Sequence, residues 1–358
     1  GGALVYAQHE RFSTGGGTSD AARVILQDLA TGASRTLMWA ANFGLELDIL
    51  GEGELVFGGA SSRANLQEVS LDANATAASS RWRTRGESVD RQPVYSPDGQ
   101  WVMFSSNRSG SLDLWRLSTR TGAVRRITED PADDWDPAYL PDGSGILWSS
   151  SRGGHFEIWT SGVDGTNARQ VTQDGADAEN PGITPDGRLI IYNSSNPAHP
   201  GLFKIGRDGS GATRLVPGNW STPDLSPDGR YVAFRTQSDL RILRFARVAD
   251  GTLVGPTITL PGSNRTARPR WLPGGRQFAF TAYDATGALG VYVQDFDPVR
   301  DTTASRRPLL PFDPDQGIES IGISPDGRHA IVSRNEATLS LILAEGVPGI
   351  RPPIRKAR

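Results

Sequence analysis

The chain has 358 residues, a formal net charge of −3 and no cysteine. That charge excludes a general nucleic-acid binder working by phosphate neutralisation, and the missing thiols exclude disulfides, thiolate metal sites and a cysteine nucleophile. Forty-two glycines and 24 prolines suit a turn-rich all-β protein, and no stretch approaches the roughly 20 apolar residues of a membrane-spanning helix.

In chain order, no basic segment followed by an apolar core stands at the start, so no signal peptide is expected there. Residues 3–38 read as a repeat lacking its first strand: Leu4-Val5-Tyr6, then Arg23–Leu29, then Ser34–Leu37 after a turn at Thr31-Gly32. Gly15-Gly16-Gly17 reads as an elongated loop, since no strand-to-helix context for a phosphate-cradling loop surrounds it. The second repeat, 39–84, has Gly51-Glu52-Gly53 as a degenerate turn, with Leu55-Val56-Phe57 and Leu66-Gln67-Glu68-Val69 as strands.

The third and fourth repeats, 85–128 and 129–172, carry one pattern twice. Tyr95-Ser96-Pro97-Asp98-Gly99 is followed by Trp101–Phe104, Asn107-Arg108-Ser109-Gly110, Asp113-Leu114-Trp115 and Arg126-Ile127-Thr128. Leu140-Pro141-Asp142-Gly143 is followed by Ile146-Leu147-Trp148, Ser151-Arg152-Gly153-Gly154, Glu157-Ile158-Trp159 and Gln170-Val171-Thr172. Weaker copies occupy 173–216, 217–260, 261–310 and 311–345, and a Pro- and Arg-rich tail fills 346–358. Each copy has the length and content of a four-stranded propeller blade. The expected architecture is a single propeller over residues 1–345, with eight sectors preferred and seven as the alternative. Ring closure is expected by packing rather than by complete strand exchange. Proline fixes φ at the opening of each Pro-Asp-Gly turn, aspartate bonds backbone amides two residues on, and glycine accepts positive φ. Asp98, Asp142, Asp186, Asp228 and Asp326 are therefore read as structural turn residues.

The Ser-Pro-Asp-Gly turn, the aromatic after it, Ser-Ser/Asn-Arg-x-Gly, the acid before Leu/Ile-Trp and the closing Arg-x-Ile/Val-Thr together resemble the TolB-like propeller repeat. The resemblance covers roughly residues 3–345 and is specific for the fold. It implies a bacterial periplasmic or cell-envelope setting and a role in holding other proteins, although the same repeat also occurs in sensor domains and beside hydrolase domains. Family members commonly have six blades, which the count of eight units departs from.

Asp130–Asp136 is the densest carboxylate run, yet it lacks the EF-hand spacing and closing glutamate and also matches an ordinary inter-blade connection. His9, His155, His199 and His329 lie in separate repeats with no i, i+4 pair. No Gly-x-Ser-x-Gly elbow exists. No catalytic residue, metal or cofactor is assigned.

Aligning Pro93, Pro137, Pro181, Pro223 and Pro269 brings the loops at one mouth of the channel into register. It selects Asp90, Gln92, Asp134, Trp135, Asp136, Glu179, Asn180, Trp220 and Arg268 as a polar and aromatic rim for a partner, since function concentrates on loops of a rigid scaffold. Arg351, Arg355, Lys356 and Arg358 form a basic tail suited to an acidic partner or anionic lipid. The reading is a non-catalytic scaffold or accessory subunit of a membrane-associated envelope assembly. The alternative is the propeller half of a hydrolase or receptor whose other domain lies outside this chain.

Overall fold

The computed structural model describes residues 3–14, 17–41, 43–72, 77–261, 268–313 and 317–350. The chain divides into two compact units, residues 63–336 and residues 1–62 with 337–358. Glu54–Leu71 is one unbroken strand, and so is His329–Ala344. Each spans two strands of the sequence reading, because neither run contains a positive-φ glycine like Gly110 or Gly154, which turn the chain in the third and fourth repeats.

Residues 63–336 form a closed ring of six antiparallel sheets. Five are four-stranded and run in sequence order from the inside outward, over residues 90–126, 134–170, 178–217, 220–259 and 270–313. The sixth combines Gly317–Ile323, the first part of the His329 strand, the end of the Glu54 strand and Ala77–Trp82. The innermost strands Asp90–Tyr95, Asp134–Tyr139, Ala178–Ile183, Trp220–Leu225, Arg270–Trp271 and Gly317–Ile323 touch in that cyclic order, the last returning to the first.

The class is thus all-β, and the ring is built of four-stranded antiparallel blades. Its closure differs from the expected packing seal, since strands from both ends of residues 63–336 share the sixth sheet. Leu71 N donates to Arg328 O (2.7 Å) and Arg334 Nε to Gln67 Oε1 (2.8 Å). The physical reason is the edge: repeats two and eight each present an unpaired strand there, and pairing them satisfies both. Repeats two and eight therefore each contribute strands to one sheet of this ring. The blades pack face to face, and both faces of the second strands are buried. Met103, Leu114 and Ile127 of one blade meet Tyr139, Ile146 and Trp148 of the next.

Residues 1–62 with 337–358 hold a three-stranded sheet of Ala3–Thr14, Gly17–Asp28 and Ser34–Ala41, and Phe43–Gly51 paired with the start of the Glu54 strand. Gly17 opens a strand rather than continuing a loop, while Gly15 and Gly16 lie outside the described residues. Ala22, Val24, Leu55, Phe57, Val347 and Ile350 form the core. Val347 N donates to Gly53 O and Gly53 N to Ile350 O, both at 3.0 Å. The beginning of the tail is therefore packed, whereas Arg351, Arg355, Lys356 and Arg358 lie outside the described residues.

Candidate functional site

The bore of the ring is shaped by one backbone device used four times. Gln92, Asp136, Asn180 and Thr222 have φ of 55°, 56°, 57° and 51°. Each precedes a proline, and each sits where the pairing register shifts. A left-handed non-glycine residue before proline is sterically disfavoured, so the surrounding sheet must hold it there. The amides are met by neighbouring side chains: Gln92 N donates to Ser320 Oγ (2.8 Å), Asp136 N to Gln92 Oε1 (3.1 Å) and Asn180 N to Ser149 Oγ (3.2 Å). Gln92 thereby ties one blade to the next, with Ser105 Oγ donating to the same oxygen (3.1 Å).

The residues selected from sequence separate into three groups. Asp90 and Asp134 are fully buried within the blades rather than presented at a rim. Arg108 donates to both oxygens of Asp90 at 2.6 Å, and Ser106 Oγ donates to Oδ1 at 2.6 Å. Arg152 donates to Asp134 at 3.0 Å, as does Trp148 Nε1. Burial pushes the Asp134 carboxyl up to about 6 against the pull of Arg152. The physical reason for this placement is the strand start: Asp90 and Asp134 are the first residues of innermost strands, where alternate side chains point into the sheet packing.

The second group faces the bore. Arg268 forms a buried ion pair with Asp136. Their blades are third neighbours in a ring of six, so the pair bars the axis. Asn180 donates from Nδ2 to Asn193 Oδ1 (2.9 Å). The third group lies at the end where the innermost strands begin. Trp135 stacks on Phe156 (centroids 4.5 Å apart, planes 15° apart), with the Arg91 guanidinium 5.8 Å from its ring centre. Trp220 is half-buried, its Nε1 donating to Pro217 O (2.9 Å) and its ring edge-on to Phe234. Burial, with repulsion from Asp136 and Asp177, pushes the half-buried Glu179 up to about 8, and Arg268 only partly opposes this.

Sequence reasoning missed Arg91 and Glu319, which pair at 3.0 Å beside Trp135. The register signal was the proline, and Ile321 takes its place in the eighth repeat, so Glu319 and Ser320 stood outside the alignment. Inside the bore, Asp224 was also missed. It pairs with Arg270 (2.9 Å) and accepts from Trp271 N (2.8 Å).

The acidic run does not gather around a cation. Asp130 and Asp134 both bind Arg152, Asp133 accepts from Leu112 N (3.3 Å), and Asp136 binds Arg268. Among the described residues, no group of three or more His, Cys, Asp or Glu is placed to hold a metal. His155 lies 3.3 Å from Glu157, and His199 packs edge-on to Phe203. The turn aspartates bond within their own hairpins. Asp98, Asp142, Asp186, Asp228 and Asp326 accept from the amides of Gln100, Ser144, Arg188, Arg230 and Arg328 at 3.0–3.1 Å. A Cβ on Gly229 would lie 2.7 Å from Cδ of Pro185, so the glycine also permits close approach to the preceding blade's turn.

Fold and bore define a β-propeller whose repeated blades carry Pro-Asp-Gly turns and whose axis is barred by charge. Residues 57–253 match the family model described as the TolB beta propeller domain, and the chain belongs to that family. Propellers of this family in general bind other proteins and are mostly non-catalytic, and TolB homologues are periplasmic. A curated relative, an uncharacterized protein of Agrobacterium fabrum, is 42% identical over 52 residues, which is 14% of this chain and only 18% of that protein's length. Among solved structures, a protein assigned as a TolB from Agrobacterium tumefaciens superposes with a TM-score of 0.58 at 20% identity, covering 79% of this chain and 99% of that one. TolB from Acinetobacter baumannii gives 0.54 at 16% identity, covering 95% and 82%. An oligogalacturonate lyase in complex with manganese gives 0.50 at 15% identity, covering 83% and 98%, a likeness of fold alone.

Proposed function

We propose that this chain is a non-catalytic interaction scaffold, an accessory subunit of a membrane-associated assembly of the bacterial periplasm and cell envelope. The observation that carries the reading is the end of the bore where the innermost strands begin. There Trp135, braced by Phe156, stands beside Arg91, and the two elements lie on adjacent strands of a rigid ring. Aromatic and arginine side chains held in place this way lose little freedom on binding and are the residue types that dominate interface energetics. Glu179 and Trp220 flank them on the next two blades. Asp90, Asp134, Gln92 and Asn180 support this surface from within, and Asp136 with Arg268 forms its floor. The basic residues of the tail act as a second anchor toward acidic partners or anionic lipid.

Recovery of partners from native membranes tests the reading. The wild-type chain should capture a discrete set of envelope proteins, and Trp135→Ala should reduce that set at least severalfold without lowering thermal stability by more than a few degrees. Undiminished capture by Trp135→Ala and Trp220→Ala together would remove this surface as the contact. Metal- or substrate-dependent turnover by the purified chain would remove the scaffold reading itself.

A further inference from the structure

The bore continues beyond the Asp136–Arg268 bar as a cavity of about 300 Å³ in the ring of residues 63–336, lined down to the turn residues Pro97 and Pro227. Its walls are the four prolines that follow the left-handed residues, and its collar includes Tyr95, Leu225, Trp271 and Ile323. Its floor is Asp136, Arg268 and Asn180. This size is at the lower end of small-molecule sites, and an apolar collar over a few polar groups is their usual chemistry.

Two oxygens at the floor decide what fits. Asn180 is more than nine-tenths buried and lines the cavity, yet its Oδ1 has no hydrogen-bond partner. Asp136 gives Oδ1 to Arg268, and among the described contacts its other oxygen bonds nothing. A buried acceptor without a donor costs free energy until a ligand or water supplies one. The second charged pair of the wall, Asp224 with Arg270, is already complete, since Asp224 also accepts from Trp271 N. The missing complement is therefore a group that only donates, to both oxygens, and reaches the floor on a slim apolar stem.

We propose that this cavity, entered from the Pro-Asp-Gly turn end, is a binding site for a primary ammonium on an alkyl stem, with the head group donating to Asn180 Oδ1 and Asp136. A guanidinium is broader and duplicates Arg268, whereas an ammonium presents three donors around one atom. The same chemistry is offered by a free alkylamine and by a lysine side chain of another protein. The cavity shares the Asp136–Arg268 floor with the proposed partner surface but opens at the other end of the bore. Amine titration reads the cavity and Trp135→Ala capture reads the rim, so either reading can fail while the other stands.

Calorimetric titration of the intact chain with n-butylammonium, with N-acetyl-lysine methylamide and with n-butanol tests it. Saturable binding of either amine, with the alcohol at least about tenfold weaker, is the expected result. Preference for n-butylammonium points to a free amine, and preference for the lysine derivative points to a protein side chain. Asp136→Asn should weaken binding about tenfold or more. Asn180→Asp keeps a residue type that tolerates the left-handed backbone and turns the lone acceptor into a carboxylate, so it should tighten binding severalfold. Absence of saturation by both amines up to about 10 mM would overturn the proposal. So would equal binding of n-butanol, or unchanged affinity in Asp136→Asn. Should Asp136→Asn fail to fold, the amine–alcohol comparison on the wild type and the Asn180→Asp titration decide alone.

Discussion

The blades of residues 90–126 and 134–170 solve the head of the innermost strand with charge, and those of 178–217 and 220–259 solve it without. In the first pair, Asp90 and Asp134 are buried against Arg108 and Arg152. Each guanidinium also lies over aromatic rings of its own blade, Arg108 over Phe104 and Trp115 and Arg152 over Trp148 and Trp159. In the second pair the same position holds Ala178, fully buried, and Trp220, edge-on to Phe234. All four strands nevertheless bulge at the same place with φ between 51° and 57°. The buried ion pair is therefore not what shapes the strand. Proline after the bulge and packing between blades do that, and the charge pair is one of several fillings.

The comparison is broken most severely by removing half of a pair. Asp134→Ala leaves Arg152 with only the partly exposed Asp130, and it strips the acceptor from Trp148 Nε1. A loss of about 3 kcal/mol in urea unfolding is expected. Removing both partners with Asp134→Ala and Arg152→Met should recover more than half of that, because no buried charge is left unmatched. If the double variant were no more stable than the single one, the pair would be shaping the blade after all.

Glu179 sharpens the contrast, being a carboxylate that, among the described contacts, pairs with no arginine of its own blade. Its carboxyl sits at about 8 in the folded protein, against an ordinary value near 4.5. Between these values the folded state holds a proton that the unfolded state has released, so stability falls as pH rises from about 5 to 8 and is level above that. Glu179→Gln removes the titration. The variant should match the wild type near pH 5 and exceed it by on the order of 2 kcal/mol at pH 8.5, discounted for partial exposure. Parallel pH profiles for the two proteins would show that Glu179 is already compensated by Arg268.

Much of the ring is legible in the chain because turn chemistry is local. Pro-Asp-Gly and Asn-Arg-x-Gly specify their hairpins within a few residues, so strand order inside each complete repeat follows directly. Closure is not legible, because Leu71 and Arg328 meet through a sequence separation that no local signal reports. The same limit explains the site. Proline register finds Asp136, Asn180 and Arg268, but the left-handed bulge at Gln92 and Asp136 breaks the two-residue alternation, so Asp90 and Asp134, two positions earlier, point into the blade and not to the rim. The pairing of Arg268 with Asp136, 132 residues away, depends on the ring having six members.

The smallest effect concerns the turns, which all the complete blades share whatever fills their strand heads. Asp98 accepts from Ser96 Oγ at 2.6 Å and from Gln100 N at 3.0 Å, and the serine bond, then the amide bond, hold its carboxyl below the usual range. Asp98→Ala should cost about 1 kcal/mol at neutral pH, the net worth of such bonding at a largely solvated site. A depressed carboxylate contributes stability above its unfolded value and loses it as pH falls through the folded one, so the difference between wild type and variant should shrink as pH drops below about 4. Asp98→Asn, which keeps an acceptor without the charge, should fall between the two at pH 7 and show no such shrinkage. A stability unchanged by Asp98→Ala, together with lost capture of envelope partners, would move this aspartate from the architecture of the blade to its function.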